Sequence, residues 1–283
     1  MRTILFIGAG PAQSKGISTA KRLGYRVLAI DGNPSAPGLG LADIAKVIDV
    51  TDIEEAIKMA KRFKVDGVLS IASDICLPAV AAVNEALGLK GLSKNQVNLT
   101  TNKALMRKRF RENSIPGPNF SVFCDEDEIA DACTTVGFPS VIKPVDSAGS
   151  RGVYYVNSID QASKAFQVAK TYSYSGYVIL EEFMPGKEVS VEAFVAQGKI
   201  KILTLSDKVR TPPPYLLDTA LQFPSAYKSF IQNQIKDTAY RAIKALELDN
   251  CPVHMELIVS DDKPKIVEVA SRGPGFKVYT ETG

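Results

Sequence analysis

Two carboxylates stand in strands that are otherwise apolar. "HMELIV" puts Glu256 mid-strand, and "KIVEVASR" puts Glu268 mid-strand with Arg272 four residues on. A carboxylate inside an apolar run is costly unless it is paired or metal-bound. The short turn "DDKP" joins the two runs, so they lie side by side and can face one cation together. Oxygen-only ligands favour Mg²⁺ or Mn²⁺ over zinc. A second feature is "IKPVDSAGSRGV" over 142–153. There Lys143 ends an apolar run just before Ser147, Ala148, Gly149, Ser150, Arg151 and Gly152. Small residues packed this way let a backbone come close to a ligand. Lys103 opens a predicted helix, and "VILEEFMPGKE" over 178–188 carries an apolar strand into a turn with acids at 181, 182 and 188.

Two familiar phosphate motifs do not account for these residues. The P-loop GxxxxGK[ST] is absent, because neither Gly186-Lys187 nor Gly198-Lys199 has the upstream Gly or a following Ser/Thr. "GAGPAQ" over 8–13 follows a strand, precedes a helix and has Asp31 about 20 residues on, like a dinucleotide fingerprint. That fingerprint wants Gly at its sixth position, and this chain has Gln13, so a nicotinamide site is set aside. A tight strand-to-helix turn explains the glycines.

The elements that must position these residues alternate through the first hundred positions. Strands are predicted at 3–10, 26–31, 46–50 and 67–72, with helices at 15–23, 53–63 and 77–87. Strands alternating with helices imply an open, doubly wound parallel sheet. A basic helix follows within 91–118, stopped by Pro116 and Pro118. Beyond about 120 the pattern changes. Helices near 126–136 and 160–171 sit among strands at 139–143, 152–156 and 177–183, and 187–206 reads as antiparallel strands around Gly198. A long helix covers 226–247, strands at 253–260 and 265–271 close the pattern, and "RTPPPY" over 210–215 reads as a stiff extended loop.

Composition excludes several classes. With 45% hydrophobic and 23% charged residues the 283-residue chain has ordinary globular usage, and its length suggests about two domains. No apolar stretch approaches the roughly 20 residues of a membrane span, and "MRTILFIGAG" lacks the shape of a secretory signal, so a cytoplasmic protein is expected. Cys76, Cys124, Cys133 and Cys251 form no CxxC pair and read as buried or idle thiols. A net charge of +3 with no basic, aromatic-interleaved stripe gives no reason to expect nucleic acid.

Five segments in order resemble the ATP-grasp ligases: "NKALMRKRF", "VIKPVDSAGSRGV", "VILEEFMPGKEVSVE", "HMELIV" and "IVEVASRGPG". That superfamily includes biotin carboxylase, D-alanine–D-alanine ligase, amino-acid ligases and the large chain of carbamoyl phosphate synthetase. "IGAGPAQSKGISTAKRLGYRVLAIDGNPSAPG" is similar to the open-sheet domain that precedes their catalytic domain. The resemblance implies an α/β protein with an N-terminal Rossmann-like domain over 1–95. An ATP-grasp domain over 96–283 would follow, with a two-subdomain α+β fold and a lid at about 118–183. It implies ATP and Mg²⁺ (or Mn²⁺) as cofactors, small-molecule carboxylate and amine substrates, no nucleic-acid or membrane partner, and allows a homodimer. Lys103 and Lys143 would hold ATP phosphates. The loop with Ser147, Gly149, Ser150 and Gly152 would fold over the β- and γ-phosphates. Glu181, Glu182, Phe183 and Met184 would form the adenine hinge, and Glu188 would take the ribose hydroxyls. Glu256 and Glu268 would bind the metal, and Arg272 would hold the reacting carboxylate as the catalytic residue. The implied reaction makes an acyl phosphate and ADP, and an amine then displaces phosphate. A catalytically weak ATP-binding protein of the same fold, or a carbamoyl phosphate synthetase-like subunit, are the other expectations.

The chain departs from the superfamily in three places. Ala270 stands where members often have an Asn two residues after the second metal Glu. Phe276 stands where biotin carboxylase has a Glu, which argues against its bicarbonate chemistry. The sequence ends at Gly283, soon after the metal strand, where relatives usually continue. Each residue also has a plainer reading. Lys103 and the basic run 107–111 would be a solvated helix face, Glu181 and Glu182 an exposed strand end, and Lys143 merely the end of a strand. Gly149 and Gly152 would serve a hairpin turn. Glu256 and Glu268 would pair with lysines, and Arg272 would be a salt-bridge partner of theirs. His254 shares a face with Glu256 and reads more as a hydrogen-bonded structural residue than as a ligand. Asp207, Lys208 and Arg210 are candidates for lining a second-substrate site.

Overall fold

In the computed structural model, residues 1–212 and 218–275 are described. The first third is a parallel sheet with helices. Its elements run β1 (Thr3–Ile7), α1 (Pro11–Arg22), β2 (Arg26–Asp31), β3 (Ile44–Val47), α2 (Ile53–Arg62), β4 (Gly67–Leu69) and α3 (Leu77–Leu87). The strand order is β3-β2-β1-β4, with every pairing parallel. The near-continuous apolar runs TILFI and RVLAID are what a sheet covered on both faces requires. The expected basic helix is two helices, α4 (Lys94–Thr101) and α5 (Lys103–Glu112). Asn102 breaks them, because its side chain accepts from Ala104 N–H and Leu105 N–H and caps α5.

An antiparallel sheet and two helices follow: β5 (Phe120–Phe123), α6 (Ile129–Val136), β6 (Ser140–Pro144), β7 (Tyr154–Val156), α7 (Ile159–Thr171) and β8 (Val178–Glu182), in the order β5-β8-β6-β7. Ile142, Val178 and Leu180 pack with Phe123 and Phe166 on the helix side. Alternation therefore sends Val141, Lys143, Ile179 and Glu181 to the other face.

The last sheet is also antiparallel: β9 (Lys187–Ala196), β10 (Lys199–Arg210), β11 (Asp218–Gln222), β12 (Cys251–Ser260) and β13 (Lys263–Ala270), in the order β11-β10-β9-β12-β13, with α8 (Ser229–Ala245) between β11 and β12 in the chain. Val189, Val191 and Ala193 of β9 and Val253, Met255 and Leu257 of β12 pack in one core with Ile235 and Ala239 of α8. The opposite face carries Glu188, Ser190, Glu192, His254 and Glu256. A bulge sets the last strand. Glu256 is opposite Glu268, but Leu257 is opposite Ile266, so Val267 is extra. Ile266 and Val269 both point into the core. The bulge reverses the alternation between them and turns Glu268 to the same face as Glu256. Strands β5 and β11 were not expected from the sequence, and of the "RTPPPY" loop, positions 213–215 lie outside the described residues, as does Phe276.

Candidate active site

The polar faces of the two antiparallel sheets enclose a cavity of about 370 Å³. Lys103, Lys143, Ser147, Gly149, Ser150, Glu181, Glu182, Phe183, Met184, Glu188, Glu256 and Glu268 all line it, although they come from eight separate elements and loops. A second cavity of about 550 Å³ adjoins it. Gly149, Ser150, Arg210, Glu256 and Glu268 line both, while Asp218, His254 and Arg272 line the second. Gly152 lines neither. It has φ +74, and an added Cβ would crowd Pro144 and Tyr172, so it serves the hairpin between β6 and β7.

Lys103 Nζ donates to the Ser147 carbonyl at 2.8 Å and lies 3.2 Å from Glu268. The first residue of α5 thus holds the root of the loop 147–152. Lys143 Nζ lies 2.7 Å from Glu181, and both are buried. Burial pushes the Lys143 ammonium below its usual range, against the pull of Glu181. Glu181 also takes a fork from Arg107, Nε at 2.7 Å and Nη2 at 3.3 Å. Burial raises its pKa, but Arg107 and Lys143 outweigh burial and hold it at about 2. Glu181 is 4% exposed, so it is not an exposed strand end. Arg107 is 3% exposed and corrects the solvated reading of 107–111, which holds at Lys108 and Arg111. Its guanidinium also donates to the carbonyls of Ile266 and Val267 at the bulge.

Along the expected hinge, Glu182 N–H donates to the Asn119 carbonyl and Phe183 N–H to that of Pro139. Phe183 meets Tyr155 edge-on at 5.0 Å, and Met184 is buried. These contacts fix the backbone that forms one wall of the first cavity.

Lys208 stands among three carboxylates. Its Nζ is 2.7 Å from Glu188, 3.0 Å from Asp218 and in close contact with Glu256. Burial alone would lower its pKa, but Glu256 and Glu188 raise it, so the ammonium stays charged. Glu188 is pushed up by burial and by the Glu256 charge, while Glu256, despite burial, is drawn down by His254 and Lys208. Oxygens of Glu188, Asp218 and Glu256 lie within 4.8 Å of one another, an all-oxygen set suited to a hard divalent cation. Of the expected metal pair, Glu256 and Glu268 face each other across the β12–β13 ladder, yet each engages a different lysine. Arg210 pairs with both Glu188 and Asp218. Asp207, by contrast, accepts from Ser225 Oγ and Ala226 N–H and lines neither cavity.

His254 is held by Glu192 at 2.7 Å through Nδ1, with Nε2 3.5 Å from Glu256. Burial lowers its pKa, but hydrogen bonds donated to the Glu192 and Glu256 carboxylates win and raise it to about 9. Arg272 is not a partner of the strand carboxylates. Asp74 takes its Nε at 2.8 Å and Nη2 at 2.7 Å. Asp31, the acid at the end of β2 that the dinucleotide reading would have used, turns its carboxylate inward to Ala9 N–H at 2.7 Å and closes the glycine turn.

Sequence reasoning missed Arg107, Asp218, Glu192 and Asp74. Arg107 carried a signal, since it lies one helical turn from Lys103 and shares its face. The other three had none, because each is placed by a tertiary contact.

Comparison with known proteins bears on this geometry. Residues 136–280 match the family described as the ATP-grasp domain. The chain is 27% identical over 190 residues to the formate-dependent phosphoribosylglycinamide formyltransferase of Synechococcus sp. (strain CC9605), covering 65% of this chain and 47% of that protein. It is 23% identical over 249 residues to the alanine–anticapsin ligase of Bacillus subtilis (strain 168), covering 80% and 52%. The chain thus spans about half the length of these curated relatives. In fold it is similar to an N5-carboxyaminoimidazole ribonucleotide synthetase solved as its ADP complex, with TM-score 0.85 and 20% identity over 99% of this chain and 72% of that one.

Proposed function

We infer that this chain, which belongs to the ATP-grasp domain family, is an ATP-dependent, ADP-forming ligase that joins a small carboxylate to an amine. One observation carries the reading: the two cavities meet at Glu256, Glu268, Arg210 and the loop residues Gly149 and Ser150. A phosphoryl group bound in the first would lie beside a carboxylate held in the second. In this reading Lys103 and Lys143 hold the nucleotide phosphates as point charges, and the loop with Ser147, Gly149 and Ser150 lies over them, with Gly152 shaping the hairpin that carries it. Glu181 to Met184 border the base, and Glu188 meets the ribose. Glu256 and Glu268 would hold Mg²⁺ or Mn²⁺, which when bound neutralises phosphate charge. Arg272 faces the second cavity and stabilises the carboxylate as it becomes the nucleophile.

The carboxylate oxygen attacks the γ-phosphorus and ADP departs. The amine nitrogen then attacks the carbonyl carbon, phosphate departs and the nitrogen gives up a proton. Water must be kept from the intermediate, a task for the loop 147–152. The protein's contribution is mainly position and charge, as phosphoryl transfer demands. The division of the chain near residue 95, with a lid at about 118–183, belongs to the same proposal, as does a cytoplasmic site of action where ATP is supplied. Among the described residues no helix is long and apolar enough to cross a membrane.

The test is thermal unfolding with a non-hydrolysable ATP analogue, with and without Mg²⁺, in wild type and in Glu256→Ala/Glu268→Ala. A ligand bound only by the native state must raise its stability. A Mg²⁺-dependent shift that the double variant loses supports nucleotide binding here. ADP release dependent on both an acid and an amine supports the ligase, whereas nucleotide binding without it points to a weak ATP-binding protein. A shift with NAD and none with ATP sinks the reading.

A further inference from the structure

We propose that Asp74 is the positioning residue of Arg272, and that the N-terminal parallel sheet thereby aims this arginine at the second cavity. The inference rests on the reading above, in which Arg272 meets the reacting carboxylate.

The two residues are 198 positions apart and belong to different sheets. Asp74 follows β4 and opens a short 3₁₀ turn, Asp74–Cys76. Its two oxygens take Nε and Nη2 of Arg272 in a fork, and the Gly273 carbonyl takes Nη1 at 3.0 Å. A guanidinium has five N–H donors in fixed directions. Three are used, which leaves one on each terminal nitrogen. Those two can receive a pair of oxyanion oxygens, and Arg272 is part of the second cavity's lining. Without Asp74 the guanidinium would be free to rotate towards Glu268 and Glu256, which line the same cavity. The fork therefore selects an orientation that attraction to the strand carboxylates would oppose.

The loop that carries Asp74 is itself braced. Ala72 has φ +55, a conformation that a residue with a Cβ adopts only when its surroundings impose it. Gln13 braces the preceding peptide from α1, its side-chain amide donating to the Ile71 carbonyl. Gln13 is the residue that breaks the dinucleotide fingerprint in "GAGPAQ". A glycine there would let a helix pack close to a nucleotide-binding turn. The glutamine instead ties that turn to the loop bearing Asp74. The departure of Gln13 from the motif thus has an explanation: it braces the loop that holds Arg272.

The experiment uses the full chain in two arms. The first is ADP release under acid- and amine-dependent conditions for D74A, D74N, D74E, R272A and D74A/R272A. D74A is expected to lower kcat by about 10- to 100-fold, the scale of a small misplacement of a positioning group, with the KM for ATP within about twofold. D74E restores most of the rate, and D74A adds no further loss in the R272A background. Q13A gives a smaller loss of the same kind. Equal rates in D74A and wild type, or losses that add independently of Arg272, overturn the proposal. D74N keeps one acceptor and the side-chain size, and decides the matter if D74A does not fold. The second arm needs no turnover. The Arg272 Nε–H resonance, assigned by its absence in R272K, is expected to be sharp and slow to exchange in wild type and D74E but fast in D74A. Fast exchange already in wild type overturns the tether. If wild type releases no ADP with any acid and amine, the ligase reading fails, and this second arm alone still decides whether Asp74 fixes Arg272.

Discussion

Replacing Glu181 by Gln tests the charge logic beneath the first cavity. The side chain keeps its shape and its carbonyl acceptor, so the change removes charge more than packing. Two buried cations then lose their shared partner: Arg107, forked onto Glu181 at 2.7 and 3.3 Å, and Lys143 at 2.7 Å. Removing one member of a buried ion pair costs about 3–5 kcal/mol, because the survivor stays desolvated. The depressed pKa points the same way. Glu181 sits at about 2 instead of its ordinary 4.5, and at about 1.4 kcal/mol per pH unit that corresponds to about 3 kcal/mol. The folded pKa is the lower one, so this stability is present above pH 4.5 and is lost as pH falls through about 2. Urea unfolding at pH 7 and pH 3 reads it. The gap between wild type and Glu181→Gln is expected to be about 3 kcal/mol at pH 7 and to narrow at pH 3. A gap under about 1 kcal/mol at pH 7 would refute the argument, as would a gap that does not narrow. Lys143 in the variant has only burial acting on it beside other cations, so it deprotonates more easily and nucleotide affinity falls with it.

Three further outcomes follow from single contacts. Gly186 has φ +136, and an added Cβ would run into the Val259 carbonyl, so Gly186→Ala is expected to lose about 2 kcal/mol or more in denaturant unfolding and to weaken nucleotide binding at the adjoining cavity wall. Asn102→Ala removes the cap of the helix that starts with Lys103, with an expected loss of about 1 kcal/mol by the same assay and no change in the unfolding slope. His254 is raised from 6.5 to about 9, so its stabilisation by Glu192 is complete below pH 6.5 and disappears as pH rises through about 9. Melting curves of wild type and Glu192→Gln should accordingly lie apart at pH 6 and converge above pH 9.5. Parallel curves would remove the ion pair from the account.

The order of elements was legible because periodicity and glycine punctuation are local. The parallel sheet followed from alternating apolar strands and helices, and the meeting of Glu256 and Glu268 from two short runs joined by a tight turn. What stayed hidden depends on register or on contacts distant in sequence. Nothing in "KIVEVAS" announces that Val267 is bulged, yet the bulge decides which way Glu268 faces. Strand β11 begins after a run of prolines and carries Asp218 into contact with Lys208, a placement that no local pattern encodes. Arg107 reads as solvated because its helix neighbours are Lys108 and Arg109, and only the fold shows it reaching the buried Glu181. Asp74 and Arg272 illustrate the general limit. Arg272 was expected at the reacting carboxylate and Asp74 was not singled out, and their pairing across 198 positions is visible only in the fold.

The same pairings predict how nucleotide and metal must depend on each other. In the site Lys103 is matched by Glu268, Lys143 by Glu181 and Lys208 by Glu188 and Glu256. Phosphates that draw Lys103 towards themselves take it from Glu268, whereas Glu181 keeps Arg107 when Lys143 turns away. Nucleotide alone therefore leaves the carboxylate of Glu268 beside new negative charge, a cost that a divalent cation at Glu256 and Glu268 relieves. The two ligands should bind with positive coupling of about 1–3 kcal/mol, a factor of about 5 to 150 in either affinity, and linkage makes the factor equal in both directions. Titration calorimetry of a non-hydrolysable ATP analogue with and without Mg²⁺, and of Mn²⁺ with and without the analogue, measures both. Association of metal with nucleotide in solution contributes to each, so Glu268→Gln is the reference: it keeps the solution term and removes the carboxylate that needs relief. Coupling should drop by most of its magnitude in that variant. In Lys103→Met, Glu268 has already lost its lysine, so Mn²⁺ should bind the nucleotide-free protein more tightly than it binds wild type. If coupling in Glu268→Gln equals that of wild type, the exchange of partners between lysine and metal is not what joins the two sites.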